Sequence, residues 1–328
     1  PKGALLCRRV PTGRGRGIVT ESPAVGGEGS DPPNSTQPRL AARDANSLIE
    51  AELASRLDSL QATAGSDVLA YFGPIVDDTH DLVRVALDDL DNKSNKLSVV
   101  LETTGGYAES AERFQRLFRH NYQIVDFIVP GYAMSAGTVL VMSGDEIWMD
   151  YSSVLGPIDP QVRRADGQMV PALGYIEKYR ELMRKAAKGG LNTAEMMYLV
   201  QKFDPADIAQ YEHAQKLSIA LLKDWLVQYK FRNWTTTDSG RLVTPAMRTA
   251  RAQEIARKLT DTRLWHSHGR SIPMSVLTSE NIKLRIQDFG ADPKQNSAVR
   301  EYYILLKDYM IRRGHQVIWH TRRGHHGR

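Results

Sequence analysis

A serine, Ser135, sits in Ala133-Met134-Ser135-Ala136-Gly137, between the apolar run Ile124 to Val129 and a second apolar segment that reaches Met142. Small residues around a serine permit a tight strand-to-helix turn that exposes the hydroxyl, the pattern of a nucleophile elbow. One unit earlier, the run Leu97 to Leu101 ends in Thr103-Thr104-Gly105-Gly106, and a helical pattern follows from Ala108 to Phe118. Two adjacent glycines let the chain turn sharply and leave N–H groups facing whatever lies above the strand end. Serine chemistry is the first hypothesis. Serine and alanine also fill tightly packed turns without doing chemistry, and it is the glycine pair one unit upstream that weighs towards catalysis.

The elements that must position these residues alternate. Val68 to Phe72 reads as a short buried strand, and Asp77 to Asp91 as an amphipathic helix carrying Leu82, Val83, Val85, Ala86, Leu87 and Leu90; the spacing then repeats through Met149. Strands alternating with helices of ten or more residues predict a parallel sheet with right-handed crossovers. Ligands of such sheets bind beyond the carboxyl ends of the strands, where Gly106 and Ser135 are placed. Before this core, Leu48, Ala51, Leu53, Leu57 and Leu60 give a helical pattern over residues 46–61. After it the chain is mostly helical, at 174–188, at 193–203, from Asp204-Pro205 to about Tyr229, and from Thr244-Pro245 to near Leu259. An N-cap followed by a first-turn proline marks the last two starts.

In combination, Thr103-Thr104-Gly105-Gly106 before a helix, YAMSAGT at 132–138, GDEIWMD at 144–150 and SSVLGPIDPQ at 152–161 resemble the Clp peptidase and signal peptide peptidase A superfamily of the crotonase fold. More closely, they resemble the prokaryotic serine dehydrogenase proteinases. The resemblance runs from about Val68 to Gln161, and more loosely to Arg322. It implies an α/β fold, a Clp/crotonase-type core of stacked βα units with a mostly helical C-terminal extension. It implies a serine endopeptidase without a cofactor or metal, with Ser135 as nucleophile and the amides of Gly106 and Ala136, with Gly105 beside them, as the oxyanion hole. Peptides or unfolded proteins would be the substrate, and the chain a cytoplasmic homo-oligomer with peripheral membrane association as a further expectation.

The general base departs from the Clp pattern. The family's histidine belongs in the segment 155–161, which has none and offers Asp159 as a site-lining residue. Signal peptide peptidase A enzymes use a lysine some forty to fifty residues after the serine, and Lys178 falls in that window, as do Lys185 and Lys188 less comfortably. A buried lysine loses its proton readily enough to activate serine at neutral pH. The crowded charges of Lys178 to Lys185 read equally well as a solvated helix face. His268 is a remoter candidate for lining the site.

Length and composition bound the alternatives. At 328 residues with 41% hydrophobic and 25% charged side chains, the chain is of soluble globular type with room for a core domain and extensions. The expected division is a disordered segment 1–45, a peptidase core 46–190, a helical extension 191–311, with a small second domain from about Trp234, and a basic tail 312–328. The one cysteine, Cys7, excludes an internal disulfide framework. The five arginines from Arg312 to Arg328, with no acid among them, account for the whole net charge of +5. The body is therefore neutral, which argues against a nucleic-acid surface. His315, His320, His325 and His326 lack a fixed ligand spacing, so the tail reads as solvated. No secretory leader is recognisable near residue 1, where the chain starts without a methionine. Residues 127–144 lack charge over a length that could span a membrane, but Pro130, Gly131, Ser135 and Gly137 read better as strand, turn and buried helix. Rival readings are a winged DNA-binding module built from Thr244 to Leu259 and Pro273 to Arg285, an inactive peptide-binding scaffold of the same fold, and an acyl-CoA site using the same amides.

Overall fold

The apolar runs around Val68, Leu97 and Ile124 form parallel strands whose two faces are both covered, which is why polar residues are scarce within them. The computed structural model describes residues 44–158, 161–163, 169–265 and 270–328. Expectations for the segment up to residue 43 with Cys7, for the turn at Asp166-Gly167, and for Asp159 and His268 lie outside the described residues. Arg43–Arg328 is one compact unit.

Asp44 caps α1 (Ala45–Ala64), accepting from Ser47 N at 2.8 Å. The chain continues through β1 (Asp67–Phe72), α2 (Thr79–Asp88), β2 (Lys96–Glu102), α3 (Ala108–Asn121), β3 (Ile124–Ile128), β4 (Tyr132–Ala133), α4 (Ala136–Val141), β5 (Ile147–Met149) and β6 (Val154–Leu155). The hairpin of β7 (Gln161–Arg163) and β8 (Met169–Pro171) leads into α5 (Ala172–Ala187), α6 (Thr193–Lys202) and α7 (Pro205–Trp225), which ends in a π-helical turn, Leu226–Lys230. The remainder is α8 (Pro245–Leu259), α9 (Thr262–Trp265), β9 (Ile272–Pro273), α10 (Met274–Thr278), β10 (Gln287–Asp288), α11 (Pro293–Arg313), β11 (Ile318–Thr321) and β12 (Gly324–Gly327).

The main sheet has the order β10-β5-β3-β2-β1-β11-β12, and a small one the order β4-β6-β9. Alternation along the strands divides the core in two. Leu97, Val99 and Leu101 face α2 and α3 through Val83, Leu87, Phe114 and Phe118. Val68, Ala70, Phe72 and Val100 face the opposite way, onto Leu53, Leu57 and Leu60 of α1 and Tyr302, Leu306 and Tyr309 of α11. Leu57 is fully buried there, so truncating it to alanine should cost about 2–5 kcal/mol. The uncharged stretch 127–144 resolves into strand, turn and the short α4, and no helix among the described residues is long and apolar enough to cross a membrane.

Three expectations are corrected. The tail is not solvated: β11 pairs antiparallel with β1 and β12 with β11. Two of its arginines pair with acids of the core, Arg322 with Asp67 at 2.6 Å and Arg323 with Asp91. Its buried His320 shares a 2.9 Å hydrogen bond with Tyr302 Oη, and His325 one of 2.9 Å with Tyr309 Oη. Among the described residues no winged module forms either, because 273–285 holds only the five-residue α10, and β9 pairs with β6 of the core. Ala252, Ile255 and Leu259 of α8 join the main core rather than a separate domain. The apolar stripe of α1 is covered by the chain's own α11, and Leu222 and Trp225 of α7 by the core.

Candidate active site

Past Glu102 the β2 strand continues in extended form and pairs with β4. Thr103 N donates to Tyr132 O at 3.0 Å, and Met134 N to Thr103 O at 3.0 Å. This lays residues 103–106 against 132–135 at the carboxyl end of the sheet, as the alternation of strands and helices predicts.

Both glycines of the pair are there because of close approach. Gly105 has φ 98°, and a Cβ on it would stand 2.6 Å from Met134 O and 2.9 Å from Ser135 Cβ. Gly106 has φ 153°, and a Cβ there would collide with Ile75 O. Ile75 clasps this segment, its N–H donating to Gly105 O at 2.8 Å and its carbonyl accepting from Tyr107 N at 2.9 Å. Main-chain donors alternate along an extended chain, so the Gly106 N–H points away from Ile75. The Gly105 N–H is taken by Thr103 Oγ1 at 3.0 Å.

Ser135 occupies φ 51°, ψ −115°, near the first central position of a type II′ turn. Gly137 N closes that turn onto Met134 O at 2.8 Å. A non-glycine residue in such a conformation costs on the order of 1–3 kcal/mol, and surrounding structure must over-determine it. Here Thr138 Oγ1 lies 2.8 Å from both Ala133 O and Gly156 O, and Gly156 N donates to Ala133 O at 3.0 Å. The turn is thereby held from before, from behind and from β6. Ser135 is 3% exposed, and Ala136 begins α4 directly after it.

Lys178 is brought to a different setting. On α5 its side chain is half exposed, with Nζ 3.1 Å from both carboxylate oxygens of Glu181. It borders an open cavity of about 1000 Å³ that also touches Arg257, Thr260 and Asp261 at the end of α8. Lys185 pairs with Glu195 at 2.5 Å. A separate apolar cluster of Ile176 and Leu182 of α5, Phe203, and Ile208 and Tyr211 of α7 packs α5 against α7.

Sequence reading missed the support under the site. Glu102 and Asp150 end their strands buried, and Tyr303, Lys307 and Arg300 of α11 partner them. A carboxylate closing an apolar strand was the available signal. The partners of Asp150 and Glu102 lie 150 and 201 positions or more away in sequence, where no spacing argument reaches. Burial and then the Glu102 carboxylate push the Tyr303 hydroxyl up to about 12. Burial opposes the Lys307 charge, but bonds to Glu102 and Tyr303 outweigh it and raise its pKa. For Asp150, burial is likewise outweighed by Arg300 and by the amide of Ser152, so its carboxyl titrates low.

A parallel βα core carrying a serine in a strained strand-to-helix turn against a glycine pair defines an α/β protein with its candidate site at the strand ends. Residues 68–195 match the model of the ClpP-like SDH-type serine proteinases. It is 25% identical over 234 residues to an uncharacterized protein of Methanocaldococcus jannaschii, covering 71% of this chain and 63% of that one. A second uncharacterized protein of the same organism is 36% identical over 70 residues, 21% and 24% of the two chains. The chain thus spans less than two thirds of the length of these curated relatives. Among solved structures, the 1510-N membrane-bound stomatin-specific protease aligns at 15% identity and a TM-score of 0.38, over 67% of this chain and 77% of that one. ClpP1 from Listeria monocytogenes aligns at 15% identity and 0.27, over 48% and 89%. At such scores neither likeness bears on what this chain does.

Proposed function

We propose that the chain is a serine peptidase in which Ser135 attacks the carbonyl carbon of an extended peptide. The observation that carries this reading is the strained turn of Ser135, wedged against Gly105. The tetrahedral oxyanion would be received by the N–H groups of Gly106 and Ala136. The Gly105 amide is already engaged by Thr103, so its role is to make room. Each such donor is worth roughly a hundred- to thousandfold in rate. Collapse expels the amine, and water then releases the acyl group from Ser135.

The serine proton needs an acceptor, for which we propose Lys178. That role requires α5 and α6 to close over the site and strip water from the ammonium. In the open arrangement Lys178 is bound to Glu181, the one observation favouring an inactive peptide-binding scaffold. Assembly into a homo-oligomer belongs to the same proposal. Met196, Met197 and Val200 of α6 are 54%, 55% and 77% exposed and offer an apolar face.

A fluorophosphonate probe on the full chain tests the nucleophile, because it reacts with an activated serine and needs no knowledge of substrate. Labelling of Ser135, lost in Ser135→Ala, is expected; a folded protein that takes no label would overturn the peptidase reading in favour of the scaffold.

A further inference from the structure

One face of α11 reaches through the carboxyl edge of the sheet to the two loops that meet at Ser135. Residues 300, 303 and 307 recur at three- and four-residue spacing, so their side chains share that face. Tyr303 Oη donates to Glu102 Oε2, and Lys307 Nζ lies 2.8 Å from Glu102 Oε1 and 2.9 Å from Tyr303 Oη. Glu102 immediately precedes Thr103, the residue that pairs with Tyr132 and Met134. A turn further back, Arg300 Nη1 donates to Pro130 O at 2.6 Å, and Nε to Asp150 Oδ2 at 2.9 Å. Asp150 in turn accepts from Ser152 N at 2.9 Å and Ser153 N at 3.1 Å, setting the loop that becomes β6 beside β4.

Gly131 reports how tightly these parts meet. A Cβ there would collide with Glu102 Oε2 and stand 2.6 Å from Tyr303 Oη. The Glu102–Tyr303 bond fills the space of the missing side chain, so the chain entering the serine turn leans on α11. Packing does not require these polar contacts, because Tyr302, Leu306 and Tyr309 already seat α11 against α1 and the sheet.

We propose that α11 is a clamp that sets the spacing between the Gly105-Gly106 turn and Ser135, with Arg300, Tyr303 and Lys307 as positioning residues. The proposal rests on reading Ser135 as the nucleophile. Removing a partner leaves a buried carboxylate, Glu102 or Asp150, only partly compensated by the bonds that remain. The carboxylate then draws its strand end towards water, and residues 103–106 or 130–135 move with it. Misplacement by about 1 Å costs roughly a hundredfold in rate.

The test uses the full chain and the variants Tyr303→Phe, Arg300→Met and Arg300→Lys, with the fluorophosphonate labelling rate of Ser135, the kinetics of a chromogenic ester, and amide hydrogen exchange as readouts. Folded Tyr303→Phe and Arg300→Met should label at least roughly tenfold more slowly, with kcat falling and KM nearly unchanged. Arg300→Lys, which keeps the charge but not the fork, should fall between. Exchange should rise at residues 103–106 and 130–136 and not in α3. Wild-type labelling rates in the folded variants, or unchanged exchange at those residues, overturn the clamp. Should wild-type Ser135 take no label, the nucleophile reading fails by itself, and exchange still decides whether α11 holds the two loops.

Discussion

Gly105 and Ser135 are so close that a methyl group in place of the Gly105 α-hydrogen would stand 2.9 Å from Ser135 Cβ. Two loops from successive βα units are thus in van der Waals contact at the point where a reacting carbonyl would be held. Gly105→Ala should push the serine turn away, at a cost of about 1–3 kcal/mol for overpacking. Its positive φ adds strain for any side chain. Thermal unfolding should register the loss, and fluorophosphonate labelling of Ser135 should fall in the folded fraction.

Ser135→Ala and Ser135→Gly should both be inactive but differ in stability. Both lose the hydroxyl, whereas only glycine adopts φ 51° without strain. The glycine variant should be the more stable by about 1 kcal/mol. Chemical denaturation of the two side by side checks this, and a less stable glycine variant would mean that the turn is not strained at Ser135.

Lys178→Met should leave stability within about 0.5 kcal/mol, since it removes a half-exposed pair. If closure of α5 over the site delivers this lysine, hydrolysis and labelling are lost. Full activity in the variant would exclude Lys178 as acceptor.

Val200→Asp, on the apolar face of α6, should lower the mass measured by light scattering at micromolar concentration without lowering the melting temperature. Val200 is 77% exposed in the single chain, so only an assembly would object to the charge. A wild-type mass of 36.8 kDa would mean a monomer and remove the assembly proposal.

His320 makes the C-terminal hairpin acid-sensitive. Burial, then the nearby His325, lowers its pKa from 6.5 to about 3. The unfolded chain therefore takes up a proton below 6.5 that the folded one refuses until about 3. Its contribution is whole above the upper value and falls through that window, by about 1.4 kcal/mol per pH unit. His320→Gln, which keeps a partner for Tyr302, should flatten the pH dependence of stability by this slope between about pH 6 and pH 4. Equal slopes in the two proteins would show that His320 is not held neutral.

The alternation of apolar runs, glycines and amphipathic segments by itself determined the parallel core, the position of Gly106 and Ser135 at the strand ends, and the helical starts at Asp204 and Thr244. Those features are local: a period, a turn residue and a cap act within a few positions, and the structure preserves them. Only the tertiary structure decided what happens where distant segments meet. The tail reads as excess positive charge until Arg322 finds Asp67, 255 positions away, and β1 offers an unpaired edge for β11. Lys178 reads equally as buried base or solvated face, because a helix of mixed charge does not reveal which side it shows to water. Gly105, Gly106 and Gly131 are legible as turn residues, but what each makes room for, Ser135, Ile75 and the Glu102–Tyr303 bond, is fixed by the approach of other chain segments.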